Sequence, residues 1–112
     1  MADEKEIMEL ALDAVEKARK TGKLKKGVNE AIKAVEKGAA KLVVIAKDVN
    51  PPEIVMPFKP LCSEKKIPLV TVATKEELGA SAGLGVGTSA VAIVQEGDAK
   101  DTIKRIVELT KE

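Results

Sequence analysis

Histidine, tyrosine and tryptophan are absent from this 112-residue chain, which has one phenylalanine, Phe58, and one cysteine, Cys62. Without histidine there is no Ser-His-Asp machinery and no zinc site of Cys and His ligands, and a single cysteine excludes a disulfide within the chain. Much of ordinary enzymology goes with them, and no metal or cofactor is expected. Cys62 lies in a helical stretch between Leu61 and Ser63 with no histidine to activate it, and it reads as a small core residue. A free thiol fits cytoplasmic residence. Long apolar runs are also missing: none approaches the roughly 18 residues of a membrane-spanning helix. The opening stretch, Met1 to Glu9, is acidic and polar, unlike a signal peptide.

What is present is the composition of a globular protein, 45% apolar and 33% charged, in a length that suits one domain over residues 1–112. The net charge of +1 conceals an asymmetry. Residues 1–16 carry one Lys against six acids, a net −5, whereas residues 17–41 carry nine Lys or Arg against two acids, a net +7. A basic segment within a neutral protein is either a solvated surface or the footprint of a polyanion.

Periodicity places the elements. From Lys5 to Lys20, apolar Ile7, Met8, Leu10, Ala11, Ala14, Val15 and Ala18 recur at three- and four-residue spacing, predicting an amphipathic helix that Gly22 ends in a left-handed conformation. A second helix is predicted from about Asn29 to Glu36, with Asn29 as its N-cap, Ala31, Ile32 and Val35 inward, and Gly38 closing it. Leu42–Ala46 is an unbroken apolar run, as in a strand covered on both faces. Asp48 to Pro52 turns into a third helix that Pro57 and Pro60 kink or divide. A second buried strand follows at Leu69–Ala73. Thr74 is placed to cap a short helix, Lys75–Ala82, with Glu77 at capping-box distance. Ser89–Val94 is a third strand, and Ala99–Lys111 a last helix with Ile103, Ile106, Val107 and Thr110 inward. This alternation predicts a three-layer α/β/α sandwich, and a further strand around Leu24 would make its small sheet mixed.

Two stretches could carry chemistry. Gly83-Leu84-Gly85-Val86-Gly87 invites a nucleotide-binding enzyme, but a phosphate loop needs a strand before its glycines and a helix after them. Here the predicted order is reversed. What remains is a plain connection, or a surface whose Leu84 and Val86 meet flat partners such as bases. The second stretch is Lys23 to Lys33. Asn29, Glu30 and Lys33 can project together from a helix tip, offering an amide, a carboxylate that accepts from base amino groups, and an ammonium that donates to guanine N7 or O6. The alternative is a capped helix with an intrahelical Glu30/Lys33 pair. A purely structural interaction domain also stays open.

The run Lys26-Gly27-Val28-Asn29-Glu30-Ala31-Ile32-Lys33-Ala34-Val35-Glu36-Lys37-Gly38 resembles the signature of the kink-turn RNA-binding family of archaeal ribosomal protein L7Ae. Leu42 to Val55, Leu61 to Pro68 and Lys75 to Gly79 match it further in order and spacing. The resemblance implies the same sandwich and a non-catalytic protein, monomeric when free. Its partner would be RNA containing a kink-turn, within a ribonucleoprotein that includes other proteins. Family members serve in the large ribosomal subunit, in box C/D and H/ACA guide-RNA particles and in ribonuclease P. By the same resemblance, Asn29, Glu30 and Lys33 read tandem sheared G·A pairs, Gly27 permits close backbone approach and Lys26 meets a phosphate. The flipped-out nucleotide would lie near Asn50, Ile54 and Lys75, while Leu84, Gly85 and Val86 cover bases on the other side. Three departures stand out: Asn50 where many relatives have an acid, Gly85 and Gly87 where they carry larger residues, and Pro57-Phe58-Lys59 in place of His-Leu-Pro.

Overall fold

The apolar run Leu42–Ala46 is a strand in the computed structural model, which describes residues 4–110. Strand side chains alternate between faces, and both faces are covered: Leu42, Val44 and Ala46 enter one hydrophobic cluster, Val43 and Ile45 the other. The elements in order are α1 (Glu4–Thr21), β1 (Lys23–Lys26), α2 (Val28–Glu36), β2 (Leu42–Ala46), α3 (Phe58–Lys65), β3 (Leu69–Val72), α4 (Lys75–Ser81), β4 (Ala90–Gln95) and α5 (Lys100–Thr110). Short 3-10 turns precede α3 at Pro52–Ile54 and α5 at Gly97–Ala99. The first cluster gathers α1, α4 and α5 through Ala11, Val15, Leu78, Ile103 and Ile106; the second gathers α2 and α3 through Ala31, Val35, Phe58 and Cys62. An α/β sandwich with helices on both faces of the sheet is thus formed, as the alternation of elements predicts.

The sheet is mixed, with strand order β1-β4-β2-β3. Only β2 and β3 are parallel, while β4 runs antiparallel to both β2 and β1. The cause is local. Helix α4 has seven residues, about 10 Å of rise, and the chain after it doubles back along the helix instead of crossing the sheet. Leu84 N–H donates to the Gly79 carbonyl at 2.8 Å and Thr88 N–H to that of Lys75 at 3.0 Å. The chain therefore returns to the end of the sheet that it left after β3, and β4 must run the opposite way.

Several boundaries differ from the sequence reading. Helix α2 starts one residue before Asn29, its N-cap is Gly27, and no side chain caps it. Gly22 ends α1 without a left-handed backbone; it is needed because a Cβ there would collide with the Gln95 carbonyl oxygen. The paired prolines open a 3-10 turn, and α3 begins only at Phe58. On α5, Val107 is 38% exposed and Thr110 is also outside the core, its hydroxyl bonded back to the Ile106 carbonyl; buried Thr102 lies inward instead. The predicted end of that helix at Lys111 lies outside the described residues.

Candidate nucleic-acid interface

At the sheet end where β2 and β3 finish and β4 begins, four chain segments are tied by hydrogen bonds. Gly27 N–H, at the junction of β1 and α2, donates to the Ala90 carbonyl at 2.8 Å, and that oxygen also accepts from the Thr88 hydroxyl at 3.3 Å. Thr88 N–H reaches the Lys75 carbonyl, and Lys75 N–H donates to Asp48 Oδ1 at 2.8 Å. The tip of α2, the end of the glycine loop, the first turn of α4 and the loop after β2 are therefore held in one frame. Thr74 adds to its rigidity, accepting from Glu77 N–H at 3.1 Å and donating its hydroxyl to Glu77 Oε1 at 3.0 Å.

On this frame Asn29, Glu30 and Lys33 are all exposed, in the first two turns of α2. Lys33 Nζ lies 3.8 Å from Glu30 Oε1, with the two side chains 65% and 53% exposed. Such a pair is worth only a few tenths of a kcal/mol. The intrahelical pair considered for this sequence is therefore formed, but it is loose enough to exchange for a ligand. No side chain caps α2, so the first N–H groups of the helix face outward and add partial positive charge at the tip. Gly27 has φ 92 and ψ 157, a region that side chains avoid, and a Cβ built there would meet nothing within 4 Å. The position needs glycine for its backbone, and it leaves open space in front. Lys26, exposed at the end of β1, stands immediately before it.

The glycine loop follows a helix and precedes a strand, the reverse of the phosphate-loop order. Leu84 packs partly against the core, whereas Val86 is 74% exposed, the most exposed large apolar residue among those described. Gly85 is exposed beside it, and Gly79 lets the loop lie on α4: a Cβ there would strike the Val86 carbonyl oxygen. A shallow hollow of 150 Å³ separates Leu84, Val86 and Gly87 from Glu76 and Ala80. Asn50 and Ile54 are exposed in the segment between β2 and α3, Ile54 at 38%. Asp48, two residues before Asn50, joins their segment to Lys75. No hydrogen bond among the described residues links Asn50 or Ile54 to the α2 trio; the shared frame alone relates them.

Two members of the frame, Asp48 and Thr88, had no assigned role in the sequence reading. Asp before a Val-Asn-Pro turn and Thr at the foot of a glycine loop are the signals that mark them. Cys62 is buried on α3, and desolvation pushes its thiol up from its ordinary range, which disfavours the reactive thiolate. Among the described residues no group of His, Cys, Asp and Glu is placed to hold a metal ion, and no helix is long and apolar enough to cross a membrane.

Residues 10–103 match the model of the Ribosomal protein L7Ae/L30e/S12e/Gadd45 family. The chain belongs to that family. Among solved structures, the Giardia lamblia 15.5kD RNA binding protein, also L7Ae-like, superposes with a TM-score of 0.90 at 31% identity, over 99% of this chain and 92% of that one. The family resemblance read from the Lys26–Gly38 run is thereby established together with the fold. The match spans every element that builds the hydrogen-bonded frame, from β1 to β4.

Proposed function

We propose that this member of the L7Ae family binds kink-turn RNA through the sheet end that carries the α2 tip, without catalysing a reaction. The observation that carries the proposal is the exposure of Asn29, Glu30 and Lys33 on an uncapped helix tip that Gly27 ties to the foot of the loop bearing Val86. A regular RNA helix hides its base edges in a deep, narrow major groove, so only an irregular element such as tandem sheared G·A pairs can be read by such a tip. The Glu30 carboxylate accepts from base amino groups, the Lys33 ammonium donates to purine N7 or O6, and the Asn29 amide does both. Gly27 lets the sugar-phosphate chain approach, and Lys26 faces a phosphate. Val86 and Leu84, with Gly85 between them, cover bases at the bend, while Asn50, Ile54 and Lys75 receive the flipped-out nucleotide. The similarity to the Giardia lamblia 15.5kD RNA binding protein supports the same reading. The target is a ribosomal RNA, a guide RNA or ribonuclease P RNA, within a particle that contains other proteins.

Glu30→Ala tests it. One base contact is worth about 1–3 kcal/mol, so the variant should bind a kink-turn RNA roughly 5- to 150-fold more weakly. Binding to a plain RNA duplex should change less than about twofold, since that interaction is with phosphates. Equal losses on both RNAs would count against base readout.

A further inference from the structure

Beside the site described above, four cations line a cleft of 210 Å³ between the end of α1 and the edge strand β1: Arg19, Lys23, Lys25 and Lys26, with Leu24 as its floor. All four are exposed, and among the described residues none has a carboxylate within ion-pair distance. The nearby acids of α1 are already engaged: Asp13 is 3.0 Å from Lys17, and Glu16 is 3.6 Å from Lys20. Lysine on an edge strand also discourages unwanted sheet pairing, which would account for Lys23, Lys25 and Lys26. Arg19 falls outside that explanation. It projects from α1, and its side chain lies across the backbone of Gly83, where a Cβ would meet Nε at 3.1 Å. Gly83 heads the loop that carries Val86, so the Arg19 side chain lies between that loop and the cleft.

We infer that this cleft is a second, sequence-independent phosphate site that holds the RNA backbone where it leaves the bend. The inference rests on the kink-turn reading for its direction, because the cleft continues from Lys26 at the α2 tip along β1 to Lys23. That span is about 10 Å at the rise of a strand, within one Debye length at moderate salt, so the four charges act as one field. Arg19 supplies planar, two-pronged hydrogen bonding to phosphate, and the lysines act as point charges. Four unpaired cations repel one another in the free protein, and a polyanion relieves that cost. An acidic protein segment would have the charge but not the continuity with a base-reading tip.

The variant Arg19→Gln/Lys23→Gln separates the possibilities, with circular dichroism verifying its fold. Affinity is measured across a range of salt concentrations for a kink-turn RNA with long stems, the same RNA trimmed to the bend, and a plain duplex. On the long RNA, losing two phosphate contacts should lower the magnitude of the log Kd against log salt slope by about 1.4–1.8. The trimmed RNA should lose little, and the preference for intact over substituted G·A pairs should not change. An unchanged slope and affinity on the long RNA overturns the cleft while leaving the kink-turn reading intact, and would turn attention to an acidic protein. If the wild type shows no preference for the kink-turn, that reading fails by itself. The cleft then stands as a general phosphate site if the variant lowers the slope on duplex, and falls if it does not.

Discussion

Gly27 shows how one residue sets the geometry of the interface. Its N–H is fixed by the Ala90 carbonyl, and its φ of 92 with ψ of 157 turns the chain from the edge strand directly into α2. A side chain at such a backbone costs about 1–3 kcal/mol. Gly27→Ala should therefore lower the unfolding free energy by that amount in chemical denaturation, although nothing blocks the new methyl group sterically. A loss below about 0.5 kcal/mol would mean that the backbone here is not held as described. The same residue explains why the sequence misleads at its neighbour. Asn29 has the chemistry of an N-cap, but the turn at Gly27 starts the helix earlier and puts Asn29 inside the first turn, where its amide is free for a ligand. Exposure of Glu30 and Lys33 was legible from helical spacing alone; a tertiary hydrogen bond to Ala90 was not.

Among the elements, β2 and α1 could be placed almost to the residue, because an unbroken β-branched run and a three-to-four spacing each admit one reading. The reversal of β4 was not legible, since it depends on the short α4 and on a loop whose glycines lack any periodic signal. That reversal is what brings Val86 toward the α2 tip. It depends on Gly79, where the loop carbonyl of Val86 takes the space that a Cβ would fill. Gly79→Ala should push the loop off α4 while the buried Leu78 keeps the helix docked. Amide hydrogen exchange at Leu84 and Thr88, whose N–H groups bond to the carbonyls of Gly79 and Lys75, should accelerate at least tenfold, a loss of roughly 1.4 kcal/mol of local protection. RNA affinity should fall with it. Unchanged exchange at both amides would show that the loop does not depend on this contact.

For the whole molecule, charge is distributed as strongly as it is weakly summed. The stretch with net charge +7 runs from the end of α1 through β1 and α2 to Lys41, so it spans the length of the sheet, with Lys26 and Lys33 beside the helix tip proposed to read bases. Segment charges revealed the asymmetry in the sequence; which cations share a surface emerged only with the β1–β4 pairing and the crossing of Arg19 over Gly83. A protein built this way should act on RNA by selecting one shape. An RNA that samples extended and bent forms shifts toward the form that the protein binds better. The direct test is energy transfer between dyes on the two stem ends of a kink-turn RNA, titrated with the protein without added divalent ions. A saturable rise in transfer is expected, absent when the sheared G·A pairs are replaced by Watson–Crick pairs and strongly weakened with Glu30→Ala. Binding without any rise in transfer, or an equal rise for the substituted RNA, would contradict the account.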